Sequence, residues 1–446
     1  MNKNIRNITL LLIMSTSLAA CSHMPSWMGG MSEAKPKLVG ERKVALAVES
    51  QLKADDTLKN NPPVLPNAIA NADWAQNNGV FTAATGNIAG GKFDIKSSIK
   101  AGAGNDFSHS LVPRPVVSGG IVFVMDSAGI ISAHDAADIS KVRWVSSAVA
   151  DADEHEVIGG GLAVDAGILY ATTGQGQVAA ISVANGKPLW KKNFSVPLRG
   201  SPRVAGERVI VMTIDSQAYA LSTKTGDILW DHRGINETAA VMNSVSPTIA
   251  GDDVLVPYSS GELFAISIAD GKELWSDTLL QNKHTQASVV FTGIGGDPVV
   301  DGTVAFITSS DGITAAIDTA RGQRVWHQQA GSLNTPWLAG DELFLLTADN
   351  VLVDLVKYNG KIRWTTALTS YEDPDSKQNP ISWRGPLLVG GKLVVVSSNG
   401  KMLFISAASG KIVETKSIPD NILTAPVVAG GKLYLVGQDA TLYSFQ

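Results

Sequence analysis

Gly186-Lys187-Pro188-Leu189-Trp190, GKPLW, is the stretch that decides the fold, because it returns along the chain at a nearly constant interval. Its further copies are GDILW at 226–230, GKELW at 271–275, GQRVW at 322–326 and GKIRW at 360–364. Two degenerate copies flank these, SKVRW at 140–144 and GKIVE at 410–414. The last residues of successive copies are 38 to 51 residues apart. That interval is typical of one blade of a β-propeller.

Each repeat has the same internal order. An apolar segment led by Pro, such as Pro202-Arg203-Val204, is followed by a Gly turn and a β-rich run, such as VIVMT after Gly206. An alternating segment follows, as in Ala218–Leu221, and then an X-Gly pair, such as Thr225-Gly226, that supplies the positive φ of a hairpin turn. The Trp-bearing segment comes last. Each repeat is therefore predicted to be a four-stranded antiparallel meander.

Eight such β-rich runs occur along the chain. They follow Gly120, Gly167, Gly206, Gly251, Gly302, Gly340, Gly391 and Gly431. One sheet cannot bury both of its faces, but eight stacked radially can, and a closed ring leaves only short edges. The sequence therefore predicts an all-β, eight-bladed β-propeller, in which the repeated Trp packs against the neighbouring blade rather than holding a cofactor.

The eighth repeat is incomplete, because the chain ends at Gln446 before an outer strand. A spare β-like segment, Phe93–Ile99, precedes the first repeat. We therefore expect the ring to close by pairing of this N-terminal segment with the C-terminal one, since a missing strand would expose a sheet edge.

The N-terminus predicts secretion. Lys3 and Arg6 precede a short apolar run at 8–14 and small residues, so residues 1–20 are predicted to be a signal peptide. The ending Leu18-Ala19-Ala20-Cys21 resembles the bacterial lipobox, which implies cleavage before Cys21 and lipid attachment to it. Ser22 stands where some lipoproteins carry the Asp that retains them in the inner membrane. By that analogy the chain is expected at the periplasmic face of the outer membrane, with residues 21–70 as a tether and 71–446 as the propeller.

Composition excludes several classes of function. The chain has 446 residues, a net charge of −5 and no Lys/Arg-rich run, so nucleic acid is not expected as a partner. Cys21 is the only cysteine, which excludes an internal disulfide. The histidines lack metal-ligand spacing. The acidic cluster at 151–156 contains no Gly, so a solvated loop is favoured over a Ca²⁺ site.

The repeats resemble the pyrroloquinoline-quinone-like repeat, Ala-x-Asp-x-x-Thr-Gly-x-x-x-Trp. The copies read AISVANGKPLW, ALSTKTGDILW, AISIADGKELW and AIDTARGQRVW. Asp318 keeps the Asp of the pattern, whereas Ser182, Ser222 and Ser267 replace it. Such a repeat specifies a fold far more strongly than a function.

Among families with this repeat, the lipobox, the eight repeats and the length resemble the BamB family, lipoprotein propellers of the outer-membrane β-barrel assembly (BAM) machinery. The segment SVPLRGSP at 195–202 is similar to that family's Leu-x-Leu-Arg-Gly loop, which contacts the barrel-forming subunit BamA. The resemblance implies that Val196, Leu198 and Arg199 bind this partner. The family's second contact lies before a later Pro and is acidic, whereas this chain has Asn243 and Ser244 there.

Residues alone leave a plainer interpretation of that loop, in which Val196 and Leu198 belong to the core and Arg199 is solvated. The resemblance favours a non-enzymatic scaffold without a cofactor, which binds BamA and other BAM components and assists the folding and insertion of outer-membrane proteins. It would do so either by positioning the machinery or by holding unfolded barrel substrates nearby. The alternative is a periplasmic quinone-dependent dehydrogenase. That family is expected to need a Glu, Asn and Asp cation site and commonly a vicinal Cys pair, which a chain with one Cys lacks. A scaffold for another envelope partner also stays open.

Overall fold

The structure is a computed structural model that describes only part of the chain. The described residues are 52–59, 61–80, 83, 86–104, 109–110, 113–149, 157–158, 160–198, 200–236, 245–279, 293–310 and 312–446. The predicted signal peptide, Cys21 and the acidic cluster at 151–156 lie outside them. No helix in the described part is long and apolar enough to cross a membrane.

Eight four-stranded antiparallel sheets confirm the predicted eight-bladed propeller. The N-terminal strand that completes blade 8 is β1 (Ile95–Lys100). The segments that precede blades 1 and 2 pair with each other as two short parallel strands, β2 (His109–Ser110) and β7 (Val157–Ile158). Blade 1 comprises β3 (Val116–Ser118), β4 (Ile121–Met125), β5 (Ile130–Asp135) and β6 (Val142–Ser147). Blade 2 comprises β8 (Gly160–Asp165), β9 (Ile168–Thr173), β10 (Gln177–Ser182) and β11 (Pro188–Asn193). Blade 3 comprises β12 (Arg203–Ala205), β13 (Arg208–Met212), β14 (Gln217–Ser222) and β15 (Ile228–Arg233).

The remaining blades follow in chain order. Blade 4 comprises β16 (Thr248–Ala250), β17 (Asp253–Pro257), β18 (Glu262–Ser267) and β19 (Glu273–Thr278). Blade 5 comprises β20 (Val299–Asp301), β21 (Val304–Thr308), β22 (Thr314–Asp318) and β23 (Arg324–Gln328). Blade 6 comprises β24 (Trp337–Ala339), β25 (Glu342–Leu346), β26 (Val351–Val356) and β27 (Ile362–Ala367). An inserted hairpin, β28 (Tyr371–Asp373) with β29 (Gln378–Pro380), precedes blade 7. Blade 7 comprises β30 (Trp383–Val389), β31 (Lys392–Ser397), β32 (Lys401–Ser406) and β33 (Ile412–Ser417). Blade 8 has β34 (Val427–Ala429), β35 (Lys432–Val436) and β36 (Thr441–Phe445).

The ring closes as the sequence predicted. β1 pairs antiparallel with β36, so that Ser97 lies opposite Ser444 and Ile99 opposite Leu442. The N-terminal segment thus supplies the outer strand that the last repeat lacks. Closure hides the edge of β36 that would otherwise be open to pairing with another chain.

The repeated Gly and Trp lock neighbouring blades together. A β-carbon at Gly226 of blade 3 would lie 2.6 Å from Cε3 of Trp190 in blade 2. The indole Nε1–H of Trp190 also donates to the carbonyl oxygen of Thr223 at 2.9 Å. The same Gly contact recurs at Gly186, Gly271, Gly322, Gly360 and Gly410, each against the Trp of the preceding blade. The Gly therefore serves two purposes, a turn with positive φ and room for the neighbouring indole.

Blade 7 replaces this Trp by Glu414 and compensates on the adjacent strand. In blades 1 to 5 the residue opposite the Trp is Ala. In blade 7 the residue opposite Glu414 is Phe404, whose ring stacks on Phe93 with centroids 6.4 Å apart. Blade 7 thus carries its aromatic side chain on the third strand instead of the fourth, and Phe93 of the N-terminal segment covers it.

Residues 61–80 and 86–93, here called the strap, run across the inner strands of the propeller. Trp74 exchanges backbone hydrogen bonds with Val117 of β3, and Gly390 donates to the carbonyl oxygen of Ile88 at 2.8 Å. Upstream of the strap, a 3₁₀ turn at Asp56–Leu58 is fastened to blade 6 by a 2.9 Å ion pair between Asp55 and Lys361.

These contacts correct the boundary expected for the tether. The sequence analysis placed residues 21–70 in a tether, because they are polar and lack the repeat. The described residues from 52 onward instead pack on the propeller, where their backbone groups pair with blade strands. Asp55, for example, donates its N–H to the carbonyl oxygen of Ile362 at 2.8 Å.

Candidate functional site: the loop face and the central channel

Antiparallel blades give the propeller two different faces. The turns between first and second strands, and between third and fourth strands, lie at one end of the sheets. The turns between second and third strands lie at the other end, together with the connections from one blade to the next. We call this second end the loop face. The segment at 195–202, which resembles the partner-binding loop, connects blade 2 to blade 3 on the loop face.

Leu198 is the buried anchor of this loop. It forms an isolated antiparallel bridge with Thr213, and its N–H donates to the carbonyl oxygen of Thr173 at 3.2 Å. Its side chain is 0% exposed, in a core cluster with Val204 and Val209. Leu198 therefore offers no exposed aliphatic surface, because the bridge directs its side chain between blades 2 and 3. This agrees with the plainer interpretation of the loop for this residue.

Of the other predicted contact residues, the structure describes only one. Val196 is half-buried in the loop. Arg199, Asn243 and Ser244 lie outside the described residues. Binding of a partner by these residues stays a prediction.

Two exposed isoleucines on the loop face of blade 3 were not predicted from the sequence. Ile214, at the tip of the hairpin between β13 and β14, is 48% exposed, and its N–H donates to the carbonyl oxygen of Pro197 at 3.0 Å. Ile235, just after β15, is 59% exposed. The available signal was an apolar residue at the turn Thr213-Ile214-Asp215, a position that usually favours polar or small residues.

Acidic side chains lie next to both isoleucines. Glu262 accepts a hydrogen bond from the N–H of Ile235 at 2.8 Å, and Asp215 accepts one from the Thr213 hydroxyl at 2.5 Å. The loop face of blade 3 thus combines exposed aliphatic groups with carboxylates. These acids come from hairpin positions of blades 3 and 4, not from the segment before Pro247 where the family resemblance placed them.

The second candidate region is the central channel. First strands of neighbouring blades contact one another in blades 1 to 5 and in blades 6 and 7, so their starts surround the axis. Polar side chains at or just before these starts are Arg114, Arg203, Ser246, Asp297, Thr335, Arg384 and Thr424. The strap reaches this ring from the opposite end of the channel.

Asp297 is the centre of the buried polar network. Its carboxylate accepts hydrogen bonds from the side-chain amides of Asn77 at 2.7 Å and Asn78 at 2.8 Å, and lies 3.5 Å from the guanidinium of Arg203. Arg203 also donates to the backbone carbonyl oxygen of Asn77 at 3.0 Å. Burial raises the pKa of Asp297, while the charge of Arg203 opposes that rise. The network joins the strap to the inner strands rather than leaving groups for catalysis.

The channel also shows whether a quinone cofactor fits. Trp74 of the strap is 1% exposed and stacks on Trp337, with ring centroids 6.1 Å apart. The cavity bordered by both rings has a volume of about 10 Å³. Ligand pockets commonly measure about 300–1,000 Å³. A tricyclic quinone does not fit beside these side chains, because the chain's own strap fills the space.

Metal-binding side chains are not clustered in the part of the chain that the structure describes. No group of three or more His, Cys, Asp or Glu side chains there could hold a metal ion.

Comparison with known proteins identifies relatives over most of the propeller. The family model described as outer membrane protein assembly factor BamB matches residues 129–366 and 370–446. Outer membrane protein assembly factor BamB of Escherichia coli (strain K12) is 25% identical over 362 residues, covering 78% of this chain and 87% of that protein. The Yersinia pestis protein of the same name is 22% identical over 355 residues, covering 78% of this chain and 87% of that protein.

Solved structures share the fold. BamB from Moraxella catarrhalis superposes with a TM-score of 0.66 at 17% identity, covering 79% of this chain and 99% of that one. Quinohemoprotein alcohol dehydrogenase from Comamonas testosteroni superposes with a TM-score of 0.65 at 14% identity, covering 85% of this chain and 81% of that one. At such identities the structural likeness concerns the propeller alone.

Proposed function

The chain belongs to the family of outer membrane protein assembly factor BamB, and we propose that it is a non-enzymatic scaffold of the BAM complex. In this role it binds BamA and assists the folding and insertion of outer-membrane proteins. The observation that carries the proposal is the family match over 129–366 and 370–446, which spans most of the propeller. The strap supports it, since the cavity beside Trp74 and Trp337 has a volume of about 10 Å³, which is too small for a quinone.

We place the BamA contact on the loop face of blade 3. Ile214 and Ile235 supply exposed apolar area, and Val196 lies on the neighbouring loop. Leu198 positions that loop from the core, and Arg199 next to it adds a directional cation. Asp215 and Glu262 replace the acidic half of the family contact. A small apolar centre with charged neighbours is a common arrangement of binding hot spots.

The proposed location is the periplasmic face of the outer membrane, through lipid on Cys21. The lipobox-like sequence and the single Cys support this location. Each buried CH₂ of an acyl chain adds about 0.8 kcal/mol to membrane binding, so several chains on one Cys anchor a protein firmly.

Unfolded barrel substrates would dock on the outer edges of the blades. The outermost strands carry exposed aliphatic side chains, such as Leu189 at 54% and Val325 at 56% exposure. An extended substrate strand can pair with an exposed sheet edge and place its side chains on these residues.

The test is co-purification from gently solubilised membranes with a tagged chain. We expect BamA to co-purify with the wild type and to be lost, about tenfold or more, from an Ile214→Asp/Ile235→Asp variant. The matched control is Val145→Asp, since Val145 is 60% exposed on the outer strand of blade 1. If BamA co-purified with the Ile214→Asp/Ile235→Asp variant as well as with the control, the assigned surface would be refuted. If BamA did not co-purify with the wild type, the function would be refuted.

A further inference from the structure

Three arginines and one aspartate meet at the starts of the inner strands. Arg203 is paired with Asp297, as described above. Arg114 donates to the side-chain oxygen of Asn78 at 2.6 Å, and Arg384 donates to the carbonyl oxygen of Leu423 at 2.9 Å. In the described part of the chain, neither Arg114 nor Arg384 has a carboxylate within ion-pair distance. The cluster therefore holds two more positive than negative charges.

The two arginines also repel each other. Burial lowers the pKa of Arg114, Asp297 opposes this effect, and the charge of Arg384 lowers the pKa further. Burial likewise lowers the pKa of Arg384. Guanidinium groups nonetheless stay protonated in proteins, so both remain cations. Buried like charges are costly without an anionic partner.

The two arginines border different cavities. Arg114 borders the small cavity beside Trp74, together with Thr335 and Gly385. Arg384 borders a cleft of about 360 Å³ on the loop face. The cleft lies between blades 6 and 7 against the inserted hairpin β28–β29, and a volume of this size is within the usual range for ligand pockets.

The lining of the cleft suits an organic molecule with a polar backbone. Tyr371 and Pro380 of the hairpin offer apolar surface, and Asn334, Asn350 and Ser382 offer hydrogen-bonding groups. Asp349 also lines the cleft, which disfavours a multiply charged anion inside it. The positive charge is confined to the end nearest the channel.

We propose that the loop face binds a carboxylate-bearing ligand, whose carboxylate lies at Arg384 and whose body occupies the cleft between blades 6 and 7. A carboxylate accepts paired hydrogen bonds from a guanidinium group and supplies the negative charge that no described residue places at ion-pair distance from Arg384. The end of a peptide and a free small organic acid share this chemistry. The proposal goes beyond the scaffold function and does not rest on it.

The test is calorimetric titration of the purified full chain with N-acetyl-trivaline, which has a free carboxylate, and with its C-terminal amide. We expect the carboxylate form to bind at least tenfold more tightly. Arg384→Gln should reduce its affinity at least tenfold, and Arg321→Gln, on an exposed turn of blade 5, should leave it unchanged. Equal affinity for amide and carboxylate would overturn the proposal, as would absence of binding to the wild type.

Acetate distinguishes the two sources of the carboxylate. Competition by acetate supports a free organic acid as the ligand, whereas binding of the peptide without acetate competition supports a chain end. If the Arg384→Gln variant does not fold, the wild-type comparison of carboxylate with amide still decides. Because the scaffold function is tested by co-purification, failure of one proposal is distinguishable from failure of the other.

Discussion

The indole of Trp190 in blade 2 lies directly over Gly226 of blade 3, where a side chain would have no room. A β-carbon at Gly226 would stand 2.6 Å from the ring, and the backbone there has a φ of +75°. The same pairing between blades recurs around the ring.

Substituting this Gly should separate packing from backbone strain. We expect Gly226→Ala to lower the free energy of unfolding by about 2–5 kcal/mol, combining a left-handed backbone cost of about 1–2 kcal/mol with overpacking of about 1–3 kcal/mol. Gly206→Ala is the matched control, because Gly206 has a φ of +58° and nothing within 4 Å of its virtual β-carbon. It should show the backbone cost alone in urea unfolding. Equal losses of unfolding free energy in the two variants would contradict the close packing of Trp190 against Gly226.

The strap should contribute strongly to stability through Trp74. We expect Trp74→Ala to lower the free energy of unfolding by about 3–5 kcal/mol, since it empties a buried aromatic site. Trp74→Phe should cost less than about 1.5 kcal/mol. It keeps an aromatic ring and removes an indole N–H that is buried without a hydrogen-bond partner among the described residues. Urea unfolding measures both, and similar losses would argue against a packing role for the ring.

Ring closure should be trapped by a disulfide across β1 and β36. Ser97 lies opposite Ser444, and directly opposed strand residues have Cα separations that a disulfide can span. We expect Ser97→Cys/Ser444→Cys, made in a Cys21→Ser background, to oxidise and to raise the free energy of unfolding by about 2–5 kcal/mol.

The control for this closure is Ser97→Cys/Thr441→Cys. Thr441 pairs with Lys100 instead of Ser97, so this combination is out of register. Loss of free thiols and an oxidant-dependent shift of the unfolding curve should occur only in the first variant. Equal oxidation of both would contradict the register.

A buried carboxyl in blade 6 should make stability depend on pH. Burial raises the pKa of Asp354 to about 9, and the neighbouring Glu342 adds to the rise while Arg363 opposes it. Since an unfolded Asp has a pKa of about 3.9, the folded chain holds this proton more tightly. The stability that Asp354 contributes is therefore full below pH 4 and falls as the pH rises towards 9.

Asp354→Asn should remove this dependence. We expect the variant to match the wild type near pH 4 and to exceed it increasingly above, by at most about 1.4 kcal/mol per pH unit. Asp349→Asn, at an exposed position in the adjacent hairpin, is the control and should show no such divergence. Parallel stability curves for wild type and Asp354→Asn between pH 5 and pH 8 would contradict the prediction.

The loop at 195–202 shows where prediction from the sequence reached its limit. The pattern at 195–202 indicated which segment to examine, but it did not distinguish the buried Leu198 from an exposed aliphatic residue. That distinction comes from the bridge to Thr213, which belongs to the next blade. Ile214 and Ile235 were missed for a similar reason, since Ile214 meets this loop only when blades 2 and 3 stack, and Ile235 meets Glu262 only when blades 3 and 4 stack.

The sequence by itself determined the number of blades, their strand order and the closure of the ring. The reason is that the requirements involved are local and repeated: a Gly with positive φ, a Trp at the same position of six repeats, and an unpaired last repeat with a spare segment upstream. Only the tertiary structure decided the course of the strap and the charges around the channel. Asn77 and Asp297 are 220 residues apart in the chain, and a single contact over such a distance leaves no periodic pattern from which it could be predicted.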